Sequence, residues 1–237
     1  VGEGKSIQLS SDNENSFNTS WSSDGSKIFF WSTVDGNPND FALFSVNKNG
    51  TGLIKLSLEK NNLRLSAVSE SPTGLITFST NQTSAKLPNT GIFLFDPTKG
   101  LLERIVPKSQ GSFLESPVFS PDGSKIAYLN ITRSDLVYTY MDVMVWNSDS
   151  KSPSKIVGIK ASGSLKFDYL WEEDLTPNLV WSPDGNRILF TVPEGNSSLV
   201  PEKGVWNLYV INSDGTNLKK ITNPSRQIVQ FDVSWGK

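Results

Sequence analysis

Trp181-Ser182-Pro183-Asp184-Gly185-Asn186-Arg187-Ile188-Leu189-Phe190 carries the pattern on which the fold of this chain rests. An aromatic closes one apolar run, Pro183 presets φ, Gly185 can take φ > 0, and an alternating apolar run resumes at Ile188. That is the chemistry of a tight turn between antiparallel strands. On either side of the turn, Leu179 to Trp181 reads as strand A and Arg187 to Val192 as strand B. After a longer loop, Asn207 to Ile211 reads as strand C. A second turn, Asn212-Ser213-Asp214-Gly215, leads to strand D at Leu218 to Thr222.

The unit repeats. Trp21 to Phe30 (WSSDGSKIFF) and Phe119 to Tyr128 (FSPDGSKIAY) carry the same aromatic, turn and alternation, and Glu70 to Phe78 (ESPTGLITF) is a degenerate copy without the aromatic or the aspartate. The turn glycines Gly25, Gly74, Gly123 and Gly185 recur at intervals of 49, 49 and 62 residues. Strands C are expected again at Phe41 to Val46, Ile92 to Phe95 and Asp142 to Trp146. A four-stranded sheet of this length cannot bury both faces alone, so neighbouring sheets must stack, and radial stacking gives a β-propeller.

The run W-S-P-D-G-x-x-I-x-F, followed by an N-x-D-G turn and a closing I-T, resembles the TolB-type, WD-like propeller repeat. The Trp-Asp dipeptide and Gly-His pair of true WD repeats are missing, which favours the TolB-like branch. The resemblance implies an all-β propeller used as an envelope scaffold. The expected domain is a single propeller over residues 1–237, with units at about 16–57, 63–107, 113–160 and 175–222. A fifth, partial unit is split between 1–10 and 227–237, a lone D strand at the start and a lone A strand at the end. Its missing strands leave three readings: a reduced blade, a fragment of a larger six- to eight-bladed ring, or a site where another chain donates strands.

Composition removes whole classes of chemistry. With no cysteine and no histidine in 237 residues, thiol nucleophiles, disulfides, Ser-His-Asp triads and His-bearing zinc sites are excluded. Lys+Arg 22 against Asp+Glu 24 gives a net charge of -2 and no basic footprint for nucleic acid. No apolar run approaches the roughly 20 residues of a membrane span. The sequence opens at Val1 rather than methionine, so removal of a leader is expected, and its Ser/Thr/Asn richness suits a protein exported to a cell surface or periplasm-like space.

The A-B and C-D turns are short and stereotyped, whereas the B-C segments at 80–91, 130–140 and 193–205 and the D-A segment at 158–177 are long and dissimilar. Those loops share one face of a propeller, which is therefore the expected binding face. Phe167, Tyr169, Trp171, Glu172 and Glu173, with Tyr138 and Tyr140, are the candidate partner-binding residues, aromatic anchors in a polar rim for a protein or surface glycan. Three positions before the strand-A aromatic stand Asn18, Ala67, Ser116, Asn178 and Asp232. Four are polar and, with Glu115 adjacent, form an expected ring at the channel mouth. Oxygen donors of this kind suit Ca²⁺ or a sugar hydroxyl, although no cofactor is required. Five N-x-Ser/Thr sequons, at Asn18, Asn49, Asn81, Asn130 and Asn196, are no more than this composition gives by chance.

The leading expectation is a non-catalytic binding propeller. A carboxylate-based glycosidase using Glu115 and Asp232 is the runner-up. An accessory propeller of a larger peptidase is the third reading, and no G-x-S-x-G nucleophile elbow occurs in this chain. Self-assembly through the incomplete blade is a further expectation.

Overall fold

The computed structural model describes residues 8–9, 15–56, 68–80, 90–133, 138–162, 178–194, 205–222 and 234–235. Every regular element among them is a strand, and they form four antiparallel sheets of four strands, arranged as a β-propeller. Blade I comprises β1 (Ser16–Trp21), β2 (Lys27–Val34), β3 (Asn37–Asn47) and β4 (Ile54–Leu56). Blade II comprises β5 (Ser69–Glu70), β6 (Ile76–Thr80), β7 (Gly91–Asp96) and β8 (Leu101–Pro107). Blade III comprises β9 (Ser112–Phe119), β10 (Lys125–Arg133), β11 (Tyr138–Asn147) and β12 (Ser152–Ser162). Blade IV comprises β13 (Leu179–Trp181), β14 (Arg187–Glu194), β15 (Val205–Asn212) and β16 (Lys219–Lys220). Each sheet is a simple meander, and the first strands of successive blades, β1, β5, β9 and β13, neighbour one another around the centre. Among the described residues no helix is long and apolar enough to cross a membrane.

The A-B turns form because a serine and an aspartate replace the missing ladder partners. Ser22, Ser120 and Ser182 each accept from the N–H of the first residue of strand B (2.8, 3.0 and 2.9 Å). Each hydroxyl donates onward to Asp24, Asp122 or Asp184 at 2.7, 2.6 and 2.5 Å. The aspartates in turn accept the N–H two residues on. Holding these hydroxyl and amide donors drops Asp24 and Asp184 to about 2 and lowers Asp122. In blade II Thr73 replaces the aspartate, and the turn, one residue shorter, keeps a neutral hydroxyl pair between Ser71 and Thr73 at 3.0 Å. Gly25, Gly74, Gly123 and Gly185 all sit at positive φ, between 68° and 84°.

The cores lie between blades, as the stacking argument requires. Phe29, Trp31 and Leu43 of blade I interleave with Val68, Ile76, Phe78, Phe93 and Phe95 on the blade II side, and the Trp31 and Phe78 rings meet edge to face at 5.9 Å. Ile92 and Val106 of blade II pack on Leu114, Phe119, Ile126, Tyr128 and Trp146 of blade III. Leu129, Ile131, Met141 and Val143 of blade III bury Leu179, Trp181, Ile188 and Phe190 of blade IV. A fourth cluster, Phe30, Ala42, Phe44 and Val46, occupies the other face of blade I with Leu9 against it.

Strand lengths correct the loop reading. Tyr138 and Tyr140 do not sit in an irregular B-C loop: they open β11, with Thr132 opposite Tyr140 and Arg133 opposite Thr139, so the hairpin extends well beyond the expected strands. Residues 158–162, read as the start of a long D-A segment, continue β12, pairing Ser162 with Tyr138. Continuous pairing across both segments satisfies their backbone groups in the ladder, which loops would leave to solvent.

Candidate functional site

The site starts at the crossover from blade II to blade III. β8 ends at Pro107, and the Lys108 N–H donates to the Thr90 carbonyl at 3.1 Å. The chain turns at Ser109 to Gly111, where the Ser112 hydroxyl donates to the Ser109 carbonyl at 2.9 Å, and enters β9. Phe113 and Glu115 face the same way on this innermost strand, opposite Ile131 and Leu129 of β10. The Lys108 ammonium lies over the Phe113 ring, 4.7 Å from its centroid. A lysine, an aromatic ring and a carboxyl are thus brought together at the end of β9 from which the long B-C and D-A connections spring.

The electrostatics of the group follow from its enclosure. Glu115 keeps partial solvent access yet is surrounded by protein, and burial pushes its carboxyl up to about 7, with the Lys108 charge opposing that rise. Desolvation lowers the Lys108 ammonium, and the Glu115 charge holds it up. A carboxyl poised near neutrality beside a partly desolvated ammonium can accept or donate a hydrogen bond according to the ligand presented.

The polar ring expected around this point is only partly assembled. Asn18 and Ser116 both adopt the left-handed conformation, φ 54° and 51°, where β1 and β9 bulge against β2 and β10. Asn178 has no such bulge: its carboxamide oxygen accepts the Leu179 N–H at 2.8 Å and its own N–H donates to Thr191 Oγ1 at 2.9 Å, so it secures the start of β13. The same amide-to-threonine contact opens blade I from Asn15 to Thr33 Oγ1 at 3.0 Å, three residues before Asn18. Counting back from the aromatic therefore loses register wherever a bulge intervenes. Ala67, Asp232, Phe167, Tyr169, Trp171, Glu172 and Glu173 lie outside the described residues, as does the Tyr138 side chain. Among the described residues no three carboxylates come together as a metal site. Of the sequons, Asn130 buries its side-chain oxygen without a partner, on the blade face shared with Leu114 and Asp142.

Two features escaped sequence reasoning. Lys108 carries no motif, and its only signal is its place at a crossover seven residues before Glu115. Trp21, the aromatic that opens the first copy of the repeat, is 59% exposed, whereas its counterparts Phe119 and Trp181 are each 7% exposed.

No family model matches this sequence, and no curated protein matches it. Solved structures do. TolB from Acinetobacter baumannii superposes with a TM-score of 0.63 at 15% identity, covering 92% of this chain and 46% of that one. An oligogalacturonate lyase in complex with manganese gives 0.62 at 11% identity, covering 94% and 58%. A prolyl endopeptidase gives 0.52 at 12%, covering 89% and 30%. The chain therefore spans roughly a third to somewhat over half the length of these proteins, and at such identities the likeness is one of fold.

Proposed function

We propose that this chain is a non-catalytic binding propeller of an exported protein, taking a protein or surface glycan at the loop-rich end of its channel. The observation that carries this reading is the Lys108, Phe113 and Glu115 cluster, the one place among the described residues where burial perturbs both an ammonium and a carboxyl. Such groups hold orientation-specific hydrogen bonds to a ligand, and a central mouth ringed by variable connections is where a propeller has room for one. The loop residues Tyr169 and Trp171 belong to the same reading as anchors at the rim. Similarity to TolB supports a binding role, while similarity to a lyase and to peptidase propellers keeps chemistry in view.

A specific observation favours the second reading, a carboxylate-based enzyme. Glu115 near 7 has the protonation of a general acid at neutral pH. One experiment separates the two: a glycan and peptide panel screened for binding, then for turnover, with wild type and with Lys108→Ala and Glu115→Gln. Binding without turnover that weakens about tenfold in either variant supports the binding reading. Turnover abolished by Glu115→Gln establishes the enzyme, and binding unchanged in both variants removes the cluster from the site.

A further inference from the structure

The Lys108, Phe113 and Glu115 cluster lies within the single stretch 108–115, so its geometry is set locally. The Lys108 N–H bond to the Thr90 carbonyl ties the lysine to blade II, and the ladder to β10 fixes Phe113 opposite Ile131 and Glu115 opposite Leu129. The Phe113 ring packs against the apolar cluster between blades III and IV and carries the Lys108 ammonium over its face, 4.7 Å from the centroid. The cation therefore has a fixed place beside the carboxyl.

Other charges are engaged elsewhere. The described elements packed against β9 are β5, β6, β7, β10 and β13. On β5, Glu70 accepts the Ser23 N–H of blade I at 3.1 Å; on β7, Asp96 pairs with Lys99 at 2.9 Å. Lys125 opens β10 beside Asp122, Arg133 ends that strand, and Tyr128 belongs to the cluster between blades II and III. Neither β6 nor β13 carries an ionisable side chain. Among the described residues Lys108 is the charge that acts on Glu115.

This pairing selects among ligand charges. A cation would meet the Lys108 charge, and its aromatic partner already holds an ammonium. A neutral group would leave a partly desolvated ammonium without a counter-charge. A carboxylate answers both groups, because its two oxygens can accept from two different donors at once. We propose that the cluster is the subsite for a ligand carboxylate, one oxygen pairing with the Lys108 ammonium and the other accepting from the Glu115 acid, so that ligand and proton are taken up together. The proton comes from solvent and stays on Glu115, and no covalent bond of the ligand changes. This assignment rests on the binding reading above and supplies its chemistry; a peptide terminus or a sugar uronate can bring the group.

Titration calorimetry of the whole chain tests it with two matched pairs of probes: N-acetyl-dialanine against its C-terminal amide, and methyl glucuronoside against methyl glucoside. An acid of at least one pair should bind at least tenfold more tightly than its neutral partner, and which pair responds identifies the source as peptide or glycan. Because Glu115 sits near 7 before binding, the dissociation constant should rise about tenfold from pH 6 to pH 8, with proton uptake visible as a heat that depends on the buffer. Glu115→Gln, whose amide still donates, should bind at both pH values alike. Lys108→Met should lose at least tenfold, whereas Lys108→Arg, which keeps the charge, should retain binding. Neutral probes bound as tightly as acids, a dissociation constant level from pH 6 to pH 8, or acids that fail to bind at millimolar concentration would each overturn the proposal. Failure of the carboxylate assignment alone is recognised when Lys108→Met weakens acid and neutral probes equally; when it weakens neither, the binding reading of the cluster falls with it.

Discussion

At the scale of single residues, Glu115 makes the sharpest test of the site. Its carboxyl is raised from an ordinary 4.5 to about 7, so between those values the folded protein binds a proton that the unfolded chain has released. Stability from this source therefore falls as pH rises through that window and is level above it. Glu115→Gln should remove the fall and add on the order of 1–3 kcal/mol at pH 8, read from thermal midpoints at pH 5 and 8. Equal slopes in wild type and variant would show that the carboxyl is not held as described. Ser116 tests the bulge beside it. A β-branched side chain cannot adopt φ near 51° without strain, so Ser116→Val should cost about 1–2 kcal/mol in denaturant titration, and Ser116→Gly should cost little or stabilise.

Among the elements, the A-B turn of blades I, III and IV is a device of one serine, one aspartate and one glycine. Ser182→Ala removes an acceptor for the Arg187 N–H and a donor to Asp184, and about 1 kcal/mol should be lost on chemical unfolding. Asp24 and Asp184 titrate near 2 in the fold and near 3.8 when free, so their contribution is complete above about pH 4 and disappears as pH falls toward 2. The neutral Ser71 and Thr73 pair of blade II lacks this acid sensitivity, and hydrogen exchange at pH 3 should open the other turns before it. Gly123 is held twice, by φ of 75° and by Pro72 pressed against it, so Gly123→Ala should destabilise by roughly 1–2 kcal/mol, more than the same change at Gly25, where nothing stands within 4 Å.

At the scale of the molecule, stability is shared between neighbours because every apolar cluster but the one under Leu9 bridges two blades. Trp181→Phe keeps most of the buried area and loses only the Nε1–H to Val118 bond, so it should cost about 1 kcal/mol, whereas Trp181→Ala should cost about 3–5 kcal/mol and loosen blade III as well. Trp21→Ala should cost a monomer little, since its indole is mostly in solvent. The contrast between two tryptophans in matching motifs measures what a preceding blade contributes.

Features that depend on near neighbours along the chain are legible in the residues alone. Ser-x-Asp-Gly specifies its turn through hydroxyl, carboxylate and φ > 0 within a few residues, alternation specifies the pleat, and the recurrence of both specifies four sheets that must stack. The segments expected as long, dissimilar connections at 130–140 and 158–177 are in part strand, because Tyr138, Tyr140 and residues 158–162 pair with each other as an extension of β11 and β12. The candidate site was legible only at Glu115, named for its neighbours along the strand. That burial holds its carboxyl near 7, that Lys108 lies across Phe113 beside it, and that bulges turn Asn18 and Ser116 into left-handed residues while Asn178 caps a strand were decided by tertiary structure. So was the exposure of Trp21. The burial of a strand residue depends on the sheet that packs over it, and no motif confined to one blade contains its neighbour.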